Sequence, residues 1–110
     1  MLTNEQCIEV AEKVWGWECK PREDHGWYTF SGIDKFNYEY TYHIDWLIGQ
    51  INSWKGFGRT VERAKRIIDG IFWAKFTTLY DNFITGRLPK EEFWAQSHLA
   101  TLEALNEEGS

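Results

Sequence analysis

From Val61 to Phe83 apolar residues recur every three or four positions: Val61, Ala64, Ile68, Phe72, Phe76, Leu79 and Phe83. This is the longest periodic run in the chain. It predicts one long helix, opened by Thr60 as N-cap and closed by Gly86. Three further helical patterns flank it. Thr3 and Gln6 form a capping box, and Cys7, Ile8, Ala11, Val14 and Trp15 follow as a helical stripe ended by Gly16, so the first helix spans Asn4 to Trp15. Leu47, Ile48, Ile51 and Trp54 give one side to a helix from Asp45 to Trp54. Pro89 suits the first turn of a last helix, with Glu91 and Glu92 at its positive end and Ala95, Leu99 and Leu102 on its apolar face.

Between the first two helices the period changes. "FNYEYTY" (36–42) alternates, with Phe36, Tyr38, Tyr40 and Tyr42 on one face and Asn37, Glu39 and Thr41 on the other. "WYTF" (27–30) is a second aromatic strand, and "SGID" between them is turn material, which predicts a β-hairpin. "ECKPREDHG" reads as a polar loop. The expected class is therefore α+β and mostly helical, in the order α-β-β-α-α-α: an N-terminal helix, a small aromatic hairpin, then three helices. Residues 1–110 form a single domain without repeats or an internal linker.

A chain of 110 residues buries about two thirds of its unfolded surface, enough for one modest core. Seven Trp, five Tyr and seven Phe are hard to hide in so small a core. Some should lie at the surface, where aromatic patches mark interfaces. Trp15 continues the buried stripe. Trp17, beyond the Gly16 cap, should point elsewhere and either cover the hairpin or remain exposed. Twelve basic against seventeen acidic residues leave a formal net charge of −5, which argues against generic nucleic-acid binding. No segment is apolar enough to span a membrane, and the N-terminus lacks the basic start and apolar centre of a signal peptide. Cys7 and Cys19 are expected to be reduced thiols of a cytosolic protein.

No metal-ligand spacing links Cys7, Cys19, His25, His43 and His98, and no cofactor motif is present. Cys7 falls on an apolar stripe. Cys19, in a loop that also holds His25, is the less improbable nucleophile, but no catalytic signature surrounds it. "HLAT" (98–101) is one residue too long for the HxT element of two-histidine phosphoesterases and has no second copy, so His98 reads as a surface or packing residue. In "HID" (43–45), Asp45 can cap a helix as readily as it can orient a base. Glu23-Asp24 and Glu91-Glu92 read as solvated charges. Catalytic residues are not expected.

The most suggestive stretch is "SWKGFGRTVERAKR" (53–66), which concentrates Lys55, Arg59, Arg63, Lys65 and Arg66 in an otherwise acidic chain. Glycines before a helix N-terminus favour an anion, and Trp54 and Phe57 could stack on a base. The candidate ligand or partner site is therefore Trp54, Lys55, Gly56, Phe57, Gly58, Arg59, Thr60 and Arg63. Its spacing is not that of a Walker loop. The alternative is a glycine turn followed by a solvated helix face. The hairpin offers a second surface, since an exposed edge can receive a partner strand.

"AEKVWGW" (11–17), "GWYTFSG" (26–32) and "TYHIDWLIGQI" (41–51) together resemble the first half of the small phage ABA sandwich proteins, which open with an A-E-x-V-x-G-W helix end and continue into aromatic strands. "SHLATLEALNE" (97–107) is similar to the last helix of that group. Members of the family resume strand structure after the second helix, whereas residues 57–86 here read as helix. The resemblance implies a bacteriophage or prophage protein of the bacterial cytosol and brings no catalytic residues with it. The leading expectation is a host-takeover or counter-defence protein, such as an inhibitor of a CRISPR effector, that occupies a bacterial host protein. Its acidic surface would suit a basic groove. Sequestration of a nucleotide through residues 54–66 is the alternative, and a small hydrolase using Cys19 or a histidine is the third. A homo-oligomer is compatible with all three.

Overall fold

A computed structural model describes residues 2–67 and 70–108, with the side chains of 66–72 and 107–108 outside the description. Ile68 lies outside the described residues, as do the side chains of Phe72 and Arg66. Helix α1 (Asn4–Glu9) starts at the expected capping box: Gln6 N–H donates to Thr3 Oγ1 at 3.1 Å and Thr3 N–H to Gln6 Oε1 at 2.9 Å. The helix then widens into a π-helical segment, Val10–Val14. Gly16 ends it at φ +78°, the left-handed conformation that glycine adopts without strain.

Three strands follow where two are expected: β1 (Glu18–Pro21), β2 (Trp27–Ser31) and β3 (Tyr40–His43), in an antiparallel sheet of order β1-β2-β3. The segment read as a polar loop supplies β1. It is an edge strand with one face in solvent, so it needs little apolar sequence and tolerates Pro21. Cys19, Phe30 and Tyr40 are cross-strand neighbours on the inner face, beside the Tyr28 and Tyr42 pair. Phe36 and Tyr38 are not in a strand, so the predicted four-residue aromatic face is reduced to Tyr40 and Tyr42.

Helix α2 (Ile44–Ile51) begins at His43, whose Nδ1 accepts the Asp45 N–H. His43 is thus the cap, in place of Asp45. The predicted helix from Thr60 to Gly86 is two helices, α3 (Trp54–Ile67) and α4 (Gly70–Ile84). The rings of Phe57 and Phe76 stack 6.0 Å apart, and those of Trp54 and Phe83 lie 5.8 Å apart. In one straight helix each pair would be separated by more than about 25 Å, so α4 folds back on α3. Helix α5 (Lys90–Glu108) has Glu91 and Glu92 in its first turn, as expected.

The core gathers Val10, Ala11 and Val14 from the first helical segment, Phe30 from the sheet, Leu47 and Ile51 from α2, and Ala95 and Leu102 from α5. Trp15 and Trp17 are both buried, with ring centroids 4.8 Å apart. They do not diverge as the glycine between them suggests. Trp17 takes the hairpin-covering option, meeting Phe30 edge-on at 6.5 Å and stacking on Trp46 at 6.0 Å.

Buried polar groups join these elements. Trp15 Nε1 lies 2.9 Å from Thr60 Oγ1, Thr60 Oγ1 lies 2.8 Å from His98 Nδ1, and His98 Nε2 lies 3.0 Å from the Ile51 carbonyl. The indole can only donate and the carbonyl can only accept. For a neutral imidazole this fixes every proton: Trp15 donates to Thr60, Thr60 to His98 Nδ1, and His98 Nε2–H to Ile51. Replacing Thr60 by Val keeps the shape but leaves two buried partners unsatisfied. We expect Thr60→Val to lower unfolding free energy by about 2–4 kcal/mol in denaturant titration, and Thr60→Ser to retain most of it.

Candidate functional site

The stretch singled out in the sequence is a continuous helix, so its side chains fan out over different faces. The glycine loop expected to hold an anion is absent. Ser53 Oγ accepts the Gly56 N–H at 3.1 Å and donates to the Gln50 carbonyl at 2.6 Å, and Phe57 N–H bonds the Ser53 carbonyl. The Gly56 and Phe57 N–H groups are therefore already engaged. Gly56 is buried, and any Cβ there would strike the Gln50 carbonyl. It serves the close corner between α2 and α3. Thr60, expected as an N-cap, is mid-helix, 1% exposed and committed to the buried relay.

Trp54 and Phe57 turn toward the helical end of the molecule. Trp54 meets Trp94 edge-on at 5.0 Å, and Phe57 contacts Phe93 at 5.0 Å. Lys55 is exposed. Arg59 and Arg63, one turn apart, lie over the Trp15–Gly16–Trp17 corner. The Arg59 guanidinium sits 5.5 Å from the Trp15 ring and 5.0 Å from the Trp17 ring, and Nη1 donates to Gln50 Oε1 at 3.3 Å. Burial pulls the Arg59 pKa down from its usual value. Arg63 Nε donates to the Val14 carbonyl at 2.8 Å, near the negative end of the first helical segment. Gly58, Arg59, Glu62 and Arg63 line one side of an open cleft of about 330 Å³, opposite the Gly32–Ile33 turn. Among the described residues no carboxylate lies within ion-pair distance of Arg59. Three of the eight predicted positions, Gly58, Arg59 and Arg63, thus share a cleft, and the other five do not.

The other chemical candidates are dispersed. Burial pushes the Cys7 thiol up to about 11, and burial with the nearby Glu12 charge pushes Cys19 up to about 12, so neither is a thiolate near neutral pH. His98 is fully buried, not a surface residue. Among the described residues no group of three His, Cys, Asp or Glu side chains could hold a metal ion, and no helix is long and apolar enough to cross a membrane.

The sequence reading missed a built surface feature between β2 and β3. Asp34 gathers this loop: its carboxylate accepts Phe36 N–H at 3.1 Å, Tyr38 N–H at 3.4 Å and the Tyr40 hydroxyl at 2.6 Å, while its carbonyl accepts Asn37 N–H at 3.2 Å. The Tyr40 hydrogen bond holds the Asp34 carboxyl below its usual range and raises the Tyr40 phenol. Asn37 takes φ +58°, a conformation asparagine tolerates. The loop therefore leaves the strand and aims Phe36 and Tyr38 outward, 65% and 61% exposed, with ring centroids 5.8 Å apart. An Asp placed three residues before Asn37 was the available signal, because aspartate closes such loops on its own backbone.

Burial lowers the His98 pKa from 6.5 to about 4, overcoming the opposing hydrogen bond to Ile51. The unfolded chain therefore binds that proton more readily between the two values. The contribution is complete above pH 6.5 and is lost as pH falls toward 4. Thermal or chemical denaturation should show stability falling over this window by on the order of 3 kcal/mol from His98, and His98→Gln should flatten that part of the profile.

Comparison with protein-family models, with curated proteins and with solved structures returned no match.

Proposed function

We propose that this protein acts by binding another protein through the Asp34-clamped loop, with Phe36 and Tyr38 as anchors. The observation that carries the reading is the pairing of two exposed aromatic rings with four hydrogen bonds that fix the loop holding them. Aromatic anchors dominate the energy of many interfaces, and a preformed loop avoids the entropy of ordering on contact. Lys35, 5.2 Å above the Phe36 ring, adds one positive charge at the tip of an acidic chain. The setting we propose follows from the resemblance to phage proteins: a host-takeover or counter-defence inhibitor, possible targets including a CRISPR effector, that occupies a bacterial protein bearing a basic surface. The net charge of −5 supports such a target by complementarity.

Affinity capture from bacterial lysate with immobilised protein tests this. Proteins retained by the wild type should be lost on Phe36→Ala/Tyr38→Ala, with the melting temperature unchanged because both rings are solvent-exposed. They should also be weakened by raised salt. Retention of the same proteins by the double variant would overturn the assignment.

A second reading, direct binding of a nucleotide or phosphate, is favoured by the Arg59–Arg63 cleft, where two guanidiniums face one opening. A panel of nucleotides should then raise the melting temperature of the wild type but not of Arg63→Ala. The absence of a shift with every nucleotide would remove this reading.

A further inference from the structure

Helix α4 carries an apolar stripe broader than its contact with α5. Phe76, Leu79 and Phe83 lie toward α5, where Phe83 stacks on Phe93 at 4.7 Å and Phe76 meets it at 6.1 Å. A second ridge holds Tyr80 and Ile84, one turn apart and 46% and 58% exposed. Among the α4 residues with described side chains, none is buried. Beside the contact with α5 runs an open groove of about 660 Å³ floored by Leu79, Leu99 and Ala100. Its α4 wall carries Lys75 and Thr78, and its α5 wall carries Glu92, Gln96 and Glu103.

We propose that this groove receives the same groove of a second copy of the chain, so that two α4–α5 hairpins form a four-helix bundle. The charges argue for self-association. The α4 wall offers Lys75 and the α5 wall offers Glu92 and Glu103, so each wall can meet the opposite charge on a second copy. The groove is also complementary to itself. A two-fold axis through it sets the basic wall of one copy against the acidic wall of the other, and each Lys75 against Glu103 of the second copy, twice over. The surface lies on the helical hairpin and does not involve the Phe36–Tyr38 loop.

Sedimentation of the full chain across a concentration series tests the proposal. The expected result is a species of about twice 13.1 kDa at roughly 100 μM, dissociating on dilution. Thr78→Glu, at an exposed position, should abolish it. Lys75→Glu and Glu103→Lys should each raise the dimer Kd by about 10-fold or more, because symmetry repeats each change. The combined Lys75→Glu/Glu103→Lys chain should recover dimerisation. Circular dichroism of each variant separates lost pairing from lost folding, and the recovery in the double reversal does so independently. A monomer at every concentration would overturn the proposal. So would a dimer indifferent to Thr78→Glu and to both reversals, or a monomer whose groove variants lose only the capture of a different protein. Failure here leaves the Phe36–Tyr38 test untouched, and failure there leaves this one untouched.

Discussion

The fold turns on a single buried hydroxyl. Thr60 Oγ1 accepts from the Trp15 indole and donates to His98, whose other nitrogen reaches the last carbonyl of α2. Three hydrogen bonds thereby tie the end of the first helical segment, α2, α3 and α5 at one point. Apolar contacts alone would let these helices slide, because the hydrophobic effect has no direction. A satisfied polar chain in a low-dielectric interior has one good geometry and leaves costly unpaired groups in any other. The relay therefore sets the register of the helices and, through Trp15, the position of the corner that holds the sheet.

From that corner the aromatic side chains continue outward. Trp15 touches Trp17, Trp17 stacks on Trp46, and Trp46 stacks on Tyr42 of the sheet at 4.2 Å. Arg59 covers the two tryptophans from the α3 side, while Arg63 caps the Val14 carbonyl beneath them. Basic residues that read as a ligand site are thus partly employed in closing the structure. Exposed aromatic side chains lie away from this corner, among them Phe36 and Tyr38 on the β2–β3 loop and Tyr80 on α4.

Much of the architecture was legible because it rests on local physics. The Thr3–Gln6 capping box, the Gly16 stop and the acidic first turn of α5 are short-range devices, and each is found where the sequence places it. The misread features depend on distant partners. Thr60 looks like an N-cap until Trp15, 45 positions away, and His98, 38 positions away, are brought to it. Gly56 resembles a phosphate-loop glycine until the Gln50 carbonyl comes against it. The run from Val61 to Phe83 keeps helical period across a chain reversal, so periodicity alone cannot show where it folds back. Strand β1 is legible only through its pairing with β2. The Phe36–Tyr42 alternation was real but was overridden by Asp34, whose carboxylate gives the backbone a competing set of bonds.

The relay makes a prediction about one proton. Nitrogen-15 NMR of the His98 imidazole across a pH series tests it most directly. The account requires a neutral ring protonated at Nε2, with Nδ1 shifted as an acceptor, persisting well below pH 6.5 and titrating near pH 4. A ring protonated at Nδ1, or one that gains its second proton near pH 6.5 in the folded protein, would contradict the hydrogen-bond order on which the structure is argued.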